Sequence, residues 1–134
     1  MAAKRRRNAL VLLLTMTGAG CVPRPSIEIA NRTGKPIAIV SADKRYSATP
    51  GQAVSFPYPT GWVNVDIDGE KVFYGAPMWD QAYLKTGFFG ATIRCEIYSD
   101  ARIYIVKPND PLPDDPTEYP QPDGFPLIPH AEVQ

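Results

Sequence analysis

Residues 62–74 read Trp-Val-Asn-Val-Asp-Ile-Asp-Gly-Glu-Lys-Val-Phe-Tyr, and the Asp68-Gly69 pair at their centre decides the fold. Apolar and polar residues alternate on both sides of it, which is the period of a half-buried strand. Asp-Gly between two such runs is a strong short-range hairpin signal, because a two-residue turn of the primed type needs positive φ at both positions. The register follows from the turn. Val65 stands opposite Val72 as a core pair and Asp66 opposite Lys71 as a charge pair, each worth ~0.2–1 kcal/mol. A slip of one residue would turn Val63, Val65 and Ile67 toward water.

The same pattern extends outward in both directions. Residues 26–30 (SIEIA) predict a first strand, residues 31–34 (NRTG) a turn and residues 36–40 (PIAIV) a second strand, the two pairing as a hairpin. Residues 49–52 (TPGQ) form another turn before a strand at 53–56. Toward the C-terminus, residues 76–87 break the alternation, and residues 78–84 within them suit one or two helical turns or a packed loop. Residues 91–98 and 101–106 are strands joined at Ser99-Asp100. About seven strands in some eighty residues leave no room for crossover helices. The fold class is therefore all-β: a small antiparallel β-sandwich, Ig-like or transthyretin-like in layout. The folded domain is expected at 26–107.

From Pro108 the composition changes. Eight prolines fall between Pro108 and Pro129, mixed with aspartates. Proline lacks the ladder donor, so residues 108–134 predict an extended proline-rich tail that folding does not require. Phe125, Leu127 and Ile128 form an apolar group within it, expected to dock on the sandwich or on a partner.

The other end of the chain begins with four adjacent cations, Lys4 to Arg7. An apolar run at 9–16 follows, then the small residues Thr17-Gly18-Ala19-Gly20 and Cys21. These are the three parts of a secretory signal, and the apolar run is shorter than the ~20 residues of a spanning helix. Ala19-Gly20-Cys21 resembles a bacterial lipobox, with Gly18 where that family usually has leucine. The resemblance covers residues 1–22. It implies removal of residues 1–20, a diacylglycerol on Cys21 and a short tether at 21–25. Two or more acyl chains are what stable anchoring takes. Val22, in place of the aspartate that retains enterobacterial lipoproteins in the inner membrane, implies the outer membrane.

On that reading the mature chain holds 114 residues. Lys plus Arg falls from 14 to 10 against 14 Asp plus Glu, a net charge of −4. Such a chain has no electrostatic reason to bind nucleic acid. Cys95 is then left without an intramolecular partner and sits on one face with Ile93 and Ile97, as a buried small hydrophobe does.

No catalytic, cofactor or metal site is expected. His130 is the single histidine and falls in the proline-rich stretch, a poor platform for a catalytic base. One lone thiol and one lipidated cysteine do not make a zinc site. Asp66, Asp68 and Glu70 alternate through the hairpin, and turn chemistry accounts for them. Asn31-Arg32-Thr33 matches a glycosylation acceptor, a eukaryotic signal at odds with the lipobox. Phe56, Tyr58 and Trp62 surround a turn rich in proline, with Trp79 near in sequence. These aromatics, with Phe125, Leu127 and Ile128, are the candidate interaction surface. The expected function is a membrane-anchored, non-enzymatic envelope lipoprotein whose β domain engages another envelope protein. A glycan- or peptidoglycan-binding module using the aromatic turn is the alternative. Secretion-apparatus lipoproteins with transthyretin-like sandwiches are similar in layout, and phage outer-membrane spanin subunits are similar as small proline-rich lipoproteins.

Overall fold

The computed structural model describes residues 25–75, 81–87, 90–111 and 114–131. The leader, Cys21 and Trp79 lie outside them. Among the described residues the chain forms ten strands: β1 (Ser26–Arg32), β2 (Ile37–Ser41), β3 (Lys44–Ala48), β4 (Ala53–Pro57), β5 (Val63–Ile67), β6 (Glu70–Tyr74), β7 (Leu84–Gly87), β8 (Gly90–Tyr98), β9 (Ile103–Val106) and β10 (His130–Ala131). They make two sheets of five. One has the order β4-β1-β8, with β7 and β9 sharing the far side of β8: β7 pairs its first half and β9 its second. The other has the order β10-β6-β5-β2-β3. The chain is an all-β sandwich.

The hairpin that opened the sequence reading forms in the expected register, with Val65 opposite Val72 and Asp66 opposite Lys71. Asp68 (φ 50°) and Gly69 (φ 91°) both occupy the left-handed region. The Asp66 carboxylate turns back on the turn itself, where Oδ1 accepts from the Gly69 N–H at 2.7 Å.

The expected hairpin of residues 26–40 does not form. β1 and β2 lie in different sheets, and β1 pairs antiparallel with β4 and parallel with β8. Asn31 drives the crossing. Its buried amide donates to the carbonyls of Lys35 (2.7 Å) and Ala48 (3.1 Å), and its oxygen accepts from the Thr33 N–H (3.0 Å) and hydroxyl (2.7 Å). These side-chain bonds shape the 31–35 turn toward β2 while the Asn31 backbone stays in its sheet, its N–H donating to the Gln52 carbonyl and its own carbonyl accepting from Gly51. The sandwich is thus antiparallel except for its β1–β8 pair, and it has more strands than the sequence suggested. β3 escaped notice because Lys44 and Arg45 interrupt the apolar alternation, as charges on an edge strand do.

The core is one cluster between the sheets. Ile27, Ile29, Ile93, Cys95, Ile97, Ile103 and Ile105 come from one side and Ile37, Ile39, Val63, Val65, Val72 and Tyr74 from the other. Cys95 sits between Ile93 and Ile97 as the alternation implied. The Tyr74 hydroxyl crosses the sandwich to the Ala101 carbonyl and ties down the β8–β9 turn, where Ala101 has φ 63°.

The proline-rich stretch departs most from expectation, since an extended tail was predicted from 108 onward. Instead it closes the open side of the sandwich. Leu127 exchanges both backbone hydrogen bonds with Ile103 on β9, at 2.8 and 3.1 Å. Two residues along β9, the Gln121 side chain takes the place of a peptide group: Oε1 accepts from Ile105 N (2.9 Å) and Nε2 donates to Ile105 O (3.0 Å). Two residues further, the Tyr119 hydroxyl accepts from Lys107 N (3.1 Å). The chain then reaches the second sheet, where β10 pairs with β6. Prolines interrupt the backbone ladder, so side chains stand in for it: the Gln121 amide both donates to and accepts from Ile105, and the Tyr119 hydroxyl accepts from Lys107. Phe125 and Leu127 pack half-buried against the core. Of the two docking alternatives for this apolar group, those two residues take the sandwich, while Ile128 remains 51% exposed.

Candidate functional site

Among the described residues, Trp62 and Ile128 are the large hydrophobic side chains left exposed, Trp62 at 63%. Trp62 immediately precedes β5, where alternation puts it on the outer face with Asn64 and Asp66. Its indole meets Phe73 at 5.2 Å between ring centroids and 70° between planes, and His130 at 6.1 Å and 85°. Phe73 and His130 lie nearly parallel, 5.4 Å and 27° apart. The three rings make a corner in which Trp62 stands roughly upright to the other two. Edge-to-face contacts of this kind hold aromatic groups in fixed orientations.

The ladder explains how His130 joins this group. It stands directly opposite Phe73. Phe73 is opposite Asn64, Asn64 opposite Val40, and Val40 opposite Arg45. A single cross-strand row therefore runs His130–Phe73–Asn64–Val40–Arg45 over the outer face. A shallow cavity of about 200 Å³ lies along it, lined by Arg45, Asn64, Asp66, Lys71 and Phe73 with Val40. His130, expected in an extended proline-rich tail, is instead held on a strand, β10, paired with β6.

Trp62 also walls a second, larger groove of about 350 Å³ between the β2–β3 turn and the loop that follows β4. Lys44, Tyr46, Pro57, Tyr58 and Pro59 line it. Tyr46 stacks on Phe56, with centroids 5.2 Å apart and 29° between planes. Burial pushes the Tyr58 hydroxyl far above its ordinary range, and the neighbouring Cys95 adds to the shift. The Tyr58 phenol, packed against the core, therefore stays neutral at any ordinary pH.

The sequence-predicted surface divides accordingly. Trp62 and Tyr58 border the groove. Phe56, 3% exposed, belongs to the core and offers no surface. Phe125 and Leu127 are consumed by docking on the sandwich, and Ile128 is exposed. Sequence reasoning missed Phe73, His130, Asn64 and Arg45. Phe73 carried a usable signal, since alternation with Val72 and Tyr74 places it on the water face, where a lone aromatic is informative.

No family model, curated protein or solved structure matches this chain. Its chemistry must be read from its own residues.

Two other groups have structural explanations. Burial, and then the charge of Glu96, push the Cys95 thiol far above its ordinary range, which leaves it protonated and inert. On the outer face of the first sheet, buried Glu96 pairs with Arg32 at 3.3 Å and accepts from the Tyr98 hydroxyl. That carboxylate is fully partnered, as a buried charge must be. Among the described residues no three His, Cys, Asp or Glu side chains converge to hold a metal ion. Nor is any helix there long and apolar enough to cross a membrane.

Proposed function

We propose that this chain is a lipid-anchored protein of the bacterial envelope, held at the outer membrane through Cys21. Its β-sandwich is a non-catalytic docking module for another envelope protein. The observation that carries the docking half is Trp62: a large aromatic left 63% exposed, walling a groove rich in aromatic and proline side chains. Exposed aromatic patches with a polar rim are the usual anchors of protein interfaces. The anchoring half rests on the leader and Ala19-Gly20-Cys21.

A second reading is favoured by the Trp62–Phe73–His130 corner. Rings beside Asn64, Asp66 and Arg45 suit a sugar ring, whose C–H face stacks and whose hydroxyls need planar polar partners.

The anchor is tested by mass spectrometry of the protein recovered from membranes. A chain beginning at a diacylated Cys21 is expected, and Cys21→Ser should remove the modification. An unmodified terminus elsewhere refutes the anchor. The docking half is tested by crosslinking from Trp62 in intact envelopes, set against binding to purified sacculi. Specific crosslinks to one protein support it, and sacculus binding lost in Trp62→Ala supports the sugar reading instead.

A further inference from the structure

We infer that the Trp62 end of the sandwich rests on the bilayer, with the free edge of the indole at the level of the lipid headgroups. This rests on the anchoring half of the reading above and adds the orientation in which the anchored domain stands.

The chain enters the fold at Pro25, four residues after Cys21. Four residues reach ~14 Å at most, at ~3.3–3.6 Å each. A lipid on Cys21 therefore holds the end of the sandwich where β1 begins within that distance of the membrane surface. The ladder shows what else lies at that end. Ser26 stands opposite Pro57 at the close of β4, and the Pro25 carbonyl accepts from the Tyr58 N–H at 2.9 Å. Tyr58 opens the loop that leads to Trp62, and Pro57, Tyr58 and Trp62 border one groove. The most exposed large hydrophobic side chain among the described residues thus stands on the loop bonded to the point of entry. The other one left exposed, Ile128, is two residues from His130, whose ring faces Trp62.

The chemistry of this end suits lipid. No Asp, Glu, Lys or Arg occurs between Arg45 and Asp66, so the loop meets a less polar medium without stripping water from a charge. An indole is an apolar ring with one N–H donor. At a membrane boundary the ring lies against acyl carbon while the donor stays in the wet headgroup layer. Lys44, bordering the same groove, offers its ammonium to lipid phosphate. Phe73 and His130 already fix the ring, so little ordering is lost on contact. In this orientation the groove opens along the membrane surface, and a docking partner reaches it there.

The test uses the lipidated protein, reconstituted in phosphatidylcholine vesicles with acyl chains brominated near the headgroup. In Trp79→Phe, where Trp62 is the one remaining tryptophan, emission should fall at least twofold relative to unbrominated vesicles. Should that variant fold poorly, Trp62→Phe alone gives the same component by difference. Glu70 begins β6 beside the Asp68-Gly69 turn, at the other end of the β5–β6 ladder. A tryptophan moved there, by Glu70→Trp with both native tryptophans changed to phenylalanine, should keep its emission. Unquenched Trp62 in vesicle-bound protein, or equal quenching at position 70, overturns the inference. Unquenched Trp62 that still crosslinks to one envelope protein in intact envelopes assigns this end to that protein and leaves the docking reading in place. A chain whose Cys21 carries no lipid by mass spectrometry removes the anchor, and the orientation with it.

Discussion

Gln121 is the most exacting place to test how the proline-rich stretch is held. Its side chain satisfies both the N–H and the carbonyl of Ile105, a residue with no exposed surface. Gln121→Ala removes two neutral hydrogen bonds, worth ~0.5–1.5 kcal/mol each, and leaves two polar groups short of water. A loss of about 3 kcal/mol is expected, a large part of the ~5–15 kcal/mol of a typical domain. Gln121→Glu separates the two bonds. At pH 7 the carboxylate still accepts from Ile105 N but faces the Ile105 carbonyl, so its pKa in the folded state rises above the ordinary ~4.3. Below that ordinary value the protonated side chain donates as glutamine does and the stability is fully present; it is lost as pH rises through the raised folded-state value. Urea denaturation followed by circular dichroism at pH 4 and pH 7 reads both variants, and amide exchange at Ile105 localises the effect. If Gln121→Ala changes stability by less than about 0.5 kcal/mol and leaves Ile105 protected, the side-chain ladder is not what holds this stretch.

Two further outcomes follow from backbone and burial. A Cβ built on Gly69 meets nothing within 4 Å, so the cost of Gly69→Val is backbone strain at φ 91° alone. It should be about 1–3 kcal/mol, with Gly69→Asn recovering most of it, and equal melting temperatures for all three would contradict the turn. Cys95 should resist iodoacetamide in the native protein and react on denaturation. Because its folded pKa is raised, as are those of Tyr58, Tyr74 and Tyr98, stability should be level below the ordinary thiol value of ~8.5 and fall above it. Cys95→Ala should remove the first part of that alkaline slope in a pH series of urea melts.

What was legible in the sequence was local. The Asp68-Gly69 hairpin carries its register in its turn chemistry, and Ile93, Cys95 and Ile97 carry their burial in their alternation. What escaped depends on pairings distant along the chain. Nothing around His130 predicts that β10 will find β6, because two residues directly after Pro129 have no period. The Ala42-Asp43 turn lacks glycine yet takes positive φ at both positions (49° and 62°), so its hairpin gave no signal. The aromatic turn was seen as one group. The two sheets split it: Phe56 faces inward from β4, while Trp62, just before β5 in the other sheet, ends on the outer surface, where Phe73 meets it.

The parallel pairing of β1 with β8 bears on how the chain acquires its shape over time. Ser26 and Thr92, hydroxyl to hydroxyl at 3.0 Å, are 66 residues apart. β1 is the first strand to be synthesised and one of the last to gain both neighbours. β4 arrives early, but the edge that β8 will occupy stays open until nearly the whole sandwich has emerged. Closing so long a loop before any contact compensates for it slows folding, and domains built on such distant pairings fold over milliseconds to seconds. Throughout that interval Ile27 and Ile29 line an unpaired edge, the feature through which nascent β-proteins associate wrongly. Destabilising β8 should therefore slow refolding and raise aggregation together, whereas weakening β6 or its turn should chiefly speed unfolding.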